Sequence, residues 1–208
     1  MATATNKAEI CSLSLSLVKE KVATNIDSPE TNGEKVCSKW YDAARRYTLA
    51  MHPWNFASKR TTIAQDSTAP AFGYVYQSDN LPSDFIRLLS LGNDMDDFDY
   101  EIEDNKILSD EAAPYKIRYV FDQQLVSRFS PTFVIALAHV LAAFVSYEFT
   151  GSATLRASLL KDAQMFIDQG AAIDGQQNPP KRIEKSKLNR SRKRYSRNED
   201  AYYLGGSS

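Results

Sequence analysis

His52-Pro53-Trp54-Asn55-Phe56-Ala57 is the stretch on which the reading of this chain turns. It lies where helical spacing of apolar residues stops and alternation begins. Pro53 has no N–H and disfavours the helical conformation in the residue before it, so a helix entering this stretch closes near Met51 or His52. Trp54 and Phe56 stand two residues apart, the spacing that puts two side chains on one face of a strand. Two rings there bury a large apolar area against the preceding helix. Taken alone, the six residues are a core anchor at a helix-to-strand corner.

Upstream, residues 6–20 carry Ile10, Leu13 and Leu17 at helical spacing, with Leu15 and Val18 widening the stripe. Ser28-Pro29-Glu30 reads as an N-cap, a proline in the first turn and an acid near the positive helix end. A second helix is therefore expected over about 29–51, with Val36, Cys37, Trp40, Tyr41, Ala44, Tyr47 and Met51 as its apolar face.

Downstream, residues 54–121 change period. Tyr74, Tyr76 and Phe85-Ile86-Arg87-Leu88-Leu89 look like strands, with the turn Leu81-Pro82-Ser83-Asp84 between them. Tyr100 to Leu108 reads as a hairpin around Asp104-Asn105, and Tyr115 to Phe121 alternates as a further strand. Helices return over about 131–150, capped by Ser130-Pro131 and Gly151, and over about 152–174, where Leu155, Leu159, Met165 or Phe166, and Ile173 form a stripe. The short link predicts antiparallel packing of these two. The pattern predicts a mainly α fold: an antiparallel helical bundle with a small inserted antiparallel β-region. Residues 1–174 form the body and residues 175–208 an extended basic C-terminal tail.

The net charge of −1 conceals an asymmetry. Residues 94–111 hold nine acidic residues against Lys106 alone, and residues 181–197 hold nine basic residues against Glu184 alone. Only two cysteines occur, Cys11 and Cys37, without CxxC spacing and behind no apolar signal core, which points to buried thiols in a reducing compartment. The most apolar run, Phe133 to Val145, is shorter than the roughly twenty residues of a bilayer span, so a core helix and no membrane partner are expected.

No catalytic constellation stands out. His52 and His139 are the only histidines; a hydrogen-bonded core role suits His139, and an imidazolium at a helix end suits His52. No nucleotide-binding, metalloprotease or serine-hydrolase motif occurs. Asp94 to Asp99 lacks the glycine and final glutamate of a calcium loop and reads as a solvated acidic loop. Catalytic, metal and cofactor sites are therefore all expected to be absent.

The tail is the live functional signal. Lys181, Arg182, Arg190, Arg192, Lys193, Arg194 and Arg197 supply charge, while Ile183, Leu188, Tyr195, Tyr202, Tyr203 and Leu204 supply the few apolar contacts. Such a segment buries too little to fold alone. It suits phosphates with base stacking, or an acidic protein surface anchored by its tyrosines. Fully extended, residues 175–208 reach about 110 Å.

The order of these features resembles the head-to-tail adaptor family of short-tailed bacteriophages, also called tail tubular protein A or head completion protein. An N-terminal helix leads to Glu34 through Arg46, which is similar to the family's helix, closed by His52, Pro53, Trp54, Asn55 and Phe56 with Lys59-Arg60 behind. Phe72 to Tyr76 and Leu81-Pro82-Ser83-Asp84-Phe85-Ile86-Arg87-Leu88 resemble its aromatic strand and its turn, through Leu81, Pro82, Asp84 and Arg87. The match spans roughly residues 8–175 and is best over 34–90; the tail carries no motif of the family.

The resemblance implies a non-enzymatic ring subunit, one of twelve, in the neck of a virion assembled in the host cytoplasm. The ring would dock on the portal protein, with the C-terminal tail as a strap, and carry the tail nozzle or a second tail tubular protein. Double-stranded DNA would pass through its channel, unread, during genome ejection. The alternative is a small DNA-binding or packaging protein working through the basic tail.

Overall fold

The computed structural model describes residues 6–92 and 99–177. By contact pattern the chain divides into residues 1–175 and 176–208, and the fold below is that of the first unit. Helix α1 (Lys7–Leu17) starts at Asn6, whose side chain accepts the Glu9 N–H at 2.9 Å. Helix α2 (Asn32–Met51) starts three residues later than expected. Thr31, not Ser28, is its cap, because Glu34 stands three residues on and completes a reciprocal capping box. Helix α2 ends at His52, extended ahead of Pro53 as its sequence predicts.

Strands β1 (Ser58–Ile63), β6 (Tyr115–Phe121) and β3 (Phe85–Leu91) form one antiparallel sheet in the order β1-β6-β3. Strands β2 (Tyr76–Gln77), β5 (Lys106–Ser109) and β4 (Tyr100–Glu103) form a second, in the order β2-β5-β4. The β4–β5 hairpin turns on Asp104 and Asn105, both at positive φ, the geometry a two-residue hairpin requires. Helices α3 (Pro131–Thr150) and α4 (Ala153–Gln177) follow. Ser130 caps α3, Pro131 sits in its first turn, and Gly151 ends it in the left-handed conformation.

The expectation of a mainly α bundle with inserted strands is overturned. Four α-helices and two three-stranded antiparallel sheets make an α+β fold among the described residues. The reason lies in the core. Ala57 and Val120, with Ile86 and Leu89 alongside, share one apolar cluster with α1, α2, α3 and α4, so the first sheet is a wall of the main core. Its other face joins Ile63, Leu91, Tyr115, Ile117 and Tyr119 to Leu81 and Ile107 in a second core.

The buried faces of the helices agree with the expected stripes in part: Ile10, Leu15, Val18 and Leu159 are buried and Leu155 and Phe166 pack against the core, but other expected positions are exposed. On α4 the buried positions are Leu159, Ala163, Ile167, Gly170 and Asp174, while Met165 and Ile173 are exposed. Two of those positions are small residues that let the helix approach closely. On α1, Ile10, Cys11, Ser14 and Leu15 turn inward and Leu13 outward. Helix α3 is long and apolar enough by composition to cross a bilayer; here it lies against α1 and α2 with Leu137, Val140, Leu141 and Val145 fully buried. His139, half-buried, bonds the Ile135 carbonyl at 2.8 Å and lies against Phe166 of α4.

Candidate functional site

Two of the segments that carry the resemblance, residues 52–60 and 81–88, meet at one junction. Trp54 is fully buried, and its indole N–H donates to the Thr48 carbonyl at 3.1 Å, satisfying one of the acceptors left open at the end of α2. Trp54 and Phe56 do not lie on a strand, as their spacing predicts. A 3-10 turn over Asn55–Ala57 intervenes and β1 begins at Ser58. The turn still brings the rings together, with centroids 6.1 Å apart, and both contact Phe133 of α3 edge-on at 5.1 Å.

The same corner grips α4. The Asn55 N–H donates to Asp174 Oδ2 at 2.9 Å, and its side-chain amide donates to the Asp174 carbonyl at 3.0 Å. One turn earlier, Gly170 lies flat against the indole: a Cβ there would stand 2.6 Å from Trp54 Cζ3. Sequence reasoning missed both α4 partners. The signal for Gly170 was a glycine inside a helix, which marks close approach; nothing local marked Asp174.

His52 packs edge-on to Trp54 at 5.0 Å, with Nε2 3.8 Å from Asp174 Oδ2, beyond hydrogen-bond reach. Burial pushes its pKa down, Asp174 pulls it up, and Arg87 pushes it down again. The expected imidazolium at the helix end is therefore disfavoured, because the ring is desolvated and a guanidinium stands near it.

Arg87 belongs to the second segment, so the two segments share an electrostatic environment. They are also bonded. Asp84 accepts the Lys59 ammonium and the Tyr119 hydroxyl, each at 2.9 Å, while its carbonyl accepts the Asp122 N–H at 2.7 Å. Leu81 is buried; its N–H donates to the Asn105 carbonyl at 2.8 Å, tying the turn at Pro82 to the β4–β5 hairpin.

The buried charges of α2 are matched, whereas Arg87 Nε is buried without a hydrogen-bond partner. Arg45, 3% exposed, holds Asp122 through two hydrogen bonds of 2.9 and 3.0 Å and also pairs with Asp42, joining α2 to the end of β6. The buried Glu34 carboxylate accepts N–H groups from Thr24, Asn25, Glu30 and Thr31 and the Thr24 hydroxyl. Those bonds, the Thr31 one foremost, hold its pKa far below the usual carboxylate range. Cys11 and Cys37 are free and buried side by side in the main core, and the Cys37 contact with burial raises the Cys11 pKa well above an ordinary thiol. Cys11 is not a nucleophile in that form.

Two exposed clefts are not matched. One, of about 390 Å³, opens on the first sheet and is lined by Arg60, Thr62, Ser90, Lys116 and Arg118. The other, of about 380 Å³, lies between Phe72, Tyr74 and the outer strand β4, and is lined by Glu101, Glu103 and Asp104 together with Lys106, which is paired with Asp66. The Tyr74 phenol is pushed up by burial and then by Glu101, Asp99, Asp110 and Glu103, which shows how those carboxylates converge.

Among the described residues, no group of three or more histidines, cysteines or acids is placed to hold a metal. Asp94 to Phe98 of the acidic loop lie outside the described residues. So do all the tail residues singled out above: Lys181, Arg182, Ile183, Leu188, Arg190, Arg192, Lys193, Arg194, Tyr195, Arg197, Tyr202, Tyr203 and Leu204. No known family model matches the chain, and no curated protein matches it.

Proposed function

We propose that this chain is a structural ring subunit of a phage head-to-tail connector, docking on the portal and carrying the tail nozzle around a channel for DNA. The observation that carries this reading is the junction of the two resembling segments. Separated in sequence, they meet through Lys59 and Asp84 and clamp α4 through Trp54 and Asn55. Their side chains serve packing and hydrogen bonding between elements, which is the work of a scaffold subunit.

The basic tail is the strap to the portal. It follows α4 directly in sequence, and α4 is the helix that the junction fixes. Copies of a weak strap on one ring act together, so modest single affinities sum to firm docking. The subunit works in the virion neck, without a cofactor, and lets DNA pass without reading its sequence.

Electron microscopy of the full chain, with and without its portal protein, tests the reading. Rings stacked on the portal are expected, and removal of residues 181–208 should leave a folded protein that no longer joins it. A monomer indifferent to the portal would overturn the proposal. Strong, salt-sensitive binding of the tail peptide to duplex DNA would favour a packaging role instead.

A further inference from the structure

Directly opposed arginines are an unfavourable arrangement in a sheet. Arg60 of β1 pairs in register with Arg118 of β6, which is also opposite Ser90 of β3, and Lys116 stands opposite Thr62 on the same face. Opposed like charges destabilise a sheet unless something outside the strands offsets them. Among the described residues no carboxylate lines this cleft, and Arg60, Lys116 and Arg118 have no ion pair. Arg118 Nε is shut off from solvent with no hydrogen-bond acceptor. Among the described residues the face carries an excess of positive charge, the complement of an anionic surface.

The second sheet carries the complement. Strand β4 is an edge, bonded only to β5, and all four of its residues are exposed. Glu101, Glu103 and Asp104 make no ion pair among the described residues. Beside them Phe72 is 88% exposed and Val75, Tyr100 and Ile102 are exposed as well. An unpaired strand edge with large apolar groups and carboxylates is a surface normally covered.

We propose that the acidic edge at β4 of one copy docks on the basic face of β1-β6-β3 in the next copy. The inference rests on the ring reading above and assigns its subunit contact. A head-to-tail association joins two different patches of the same molecule, and these two are of opposite sign. A nucleic acid would meet the basic face but would leave Phe72, Tyr100 and Ile102 uncovered, whereas a protein partner uses such residues as anchors.

Charge reversal tests the contact in the full chain, by mass photometry and electron microscopy with portal protein present and absent. Arg60→Glu with Lys116→Glu, and separately Glu101→Lys with Glu103→Lys, should each raise the concentration for half-assembly by about tenfold or more, since like charges then face each other. All four positions are exposed, and unchanged thermal melting of the monomer confirms that each variant folds. Arg60→Ala with Lys116→Ala should weaken assembly less and serves as a second variant.

Mixed one to one, the two reversed chains should assemble again, as rings in which they strictly alternate. Reversed variants that assemble as the wild type does, or a mixture that stays dissociated, would overturn the contact while leaving the ring reading intact. Loss of duplex DNA retention in Arg60→Glu with Lys116→Glu, with assembly unchanged, would overturn it in favour of a nucleic-acid face. A wild-type chain that forms no ring alone or on the portal would overturn both readings.

Discussion

Around α2, each charge taken from water meets designed partners: Glu34 sits under four N–H groups, and Arg45 lies between Asp122 and Asp42. Around β4, Glu101, Glu103 and Asp104 stand in solvent beside bare apolar side chains. The first region spends its polar groups on fixing the start of α2 to the connection before it and on joining α2 to the end of β6. The second leaves them free, and the contrast separates what keeps the chain folded from what another molecule can touch.

The sharpest way to break the first region is Trp54→Ala. It empties the centre of the aromatic cluster and frees the Thr48 carbonyl, and should cost about 3–5 kcal/mol in urea unfolding. Asp122→Ala should follow at about 3 kcal/mol, because it strands most of a buried guanidinium. Gly170→Ala adds a methyl where the indole already lies and should cost about 1–3 kcal/mol. A Gly170→Ala variant as stable as the wild type would show that α4 is free to shift.

Acid sharpens the comparison further. The Glu34 carboxyl has a folded pKa below its unfolded value, so the unfolded chain takes up a proton first as pH falls. Its contribution is complete above the ordinary carboxylate value of about 4.3 and is lost as pH falls below it. Glu34→Gln should therefore be less stable at neutral pH and show a flatter decline in acid. Denaturant midpoints from pH 7 to pH 3 check this. The smallest effect belongs to the second region: Ile102→Ser should change stability by less than about 0.5 kcal/mol, read in the same urea titration.

Local chemistry was legible, and distant pairing was not. Asp104-Asn105 announced a hairpin, and Ser130-Pro131 with Gly151 bracketed α3, because caps and turns act over three or four residues. The fold class was misread for a physical reason. Short strands such as Tyr76–Gln77 leave faint periodicity, while apolar helices dominate any count, so the sheet's place as a core wall stayed hidden. Trp54 and Phe56 have strand spacing, yet the hydrogen bond from the Ala57 N–H to the Trp54 carbonyl closes a 3-10 turn there. Asp174 pairs with a residue 119 positions away, a distance no window of sequence spans. The α4 stripe was drawn through its large residues, although the side that approaches Trp54 needs small ones.

The seat of Gly170 on Trp54 has a mechanical consequence. Only a residue without a side chain fits there, and Gln169 and Ala171 on either side do not qualify. Helix α4 therefore has a single admissible phase and height against the corner, like a key cut for one notch. A slip of one residue or a rotation by one position would drive a Cβ into the ring. In the proposed ring, that notch would set the even angular spacing with which the straps leave to meet the portal.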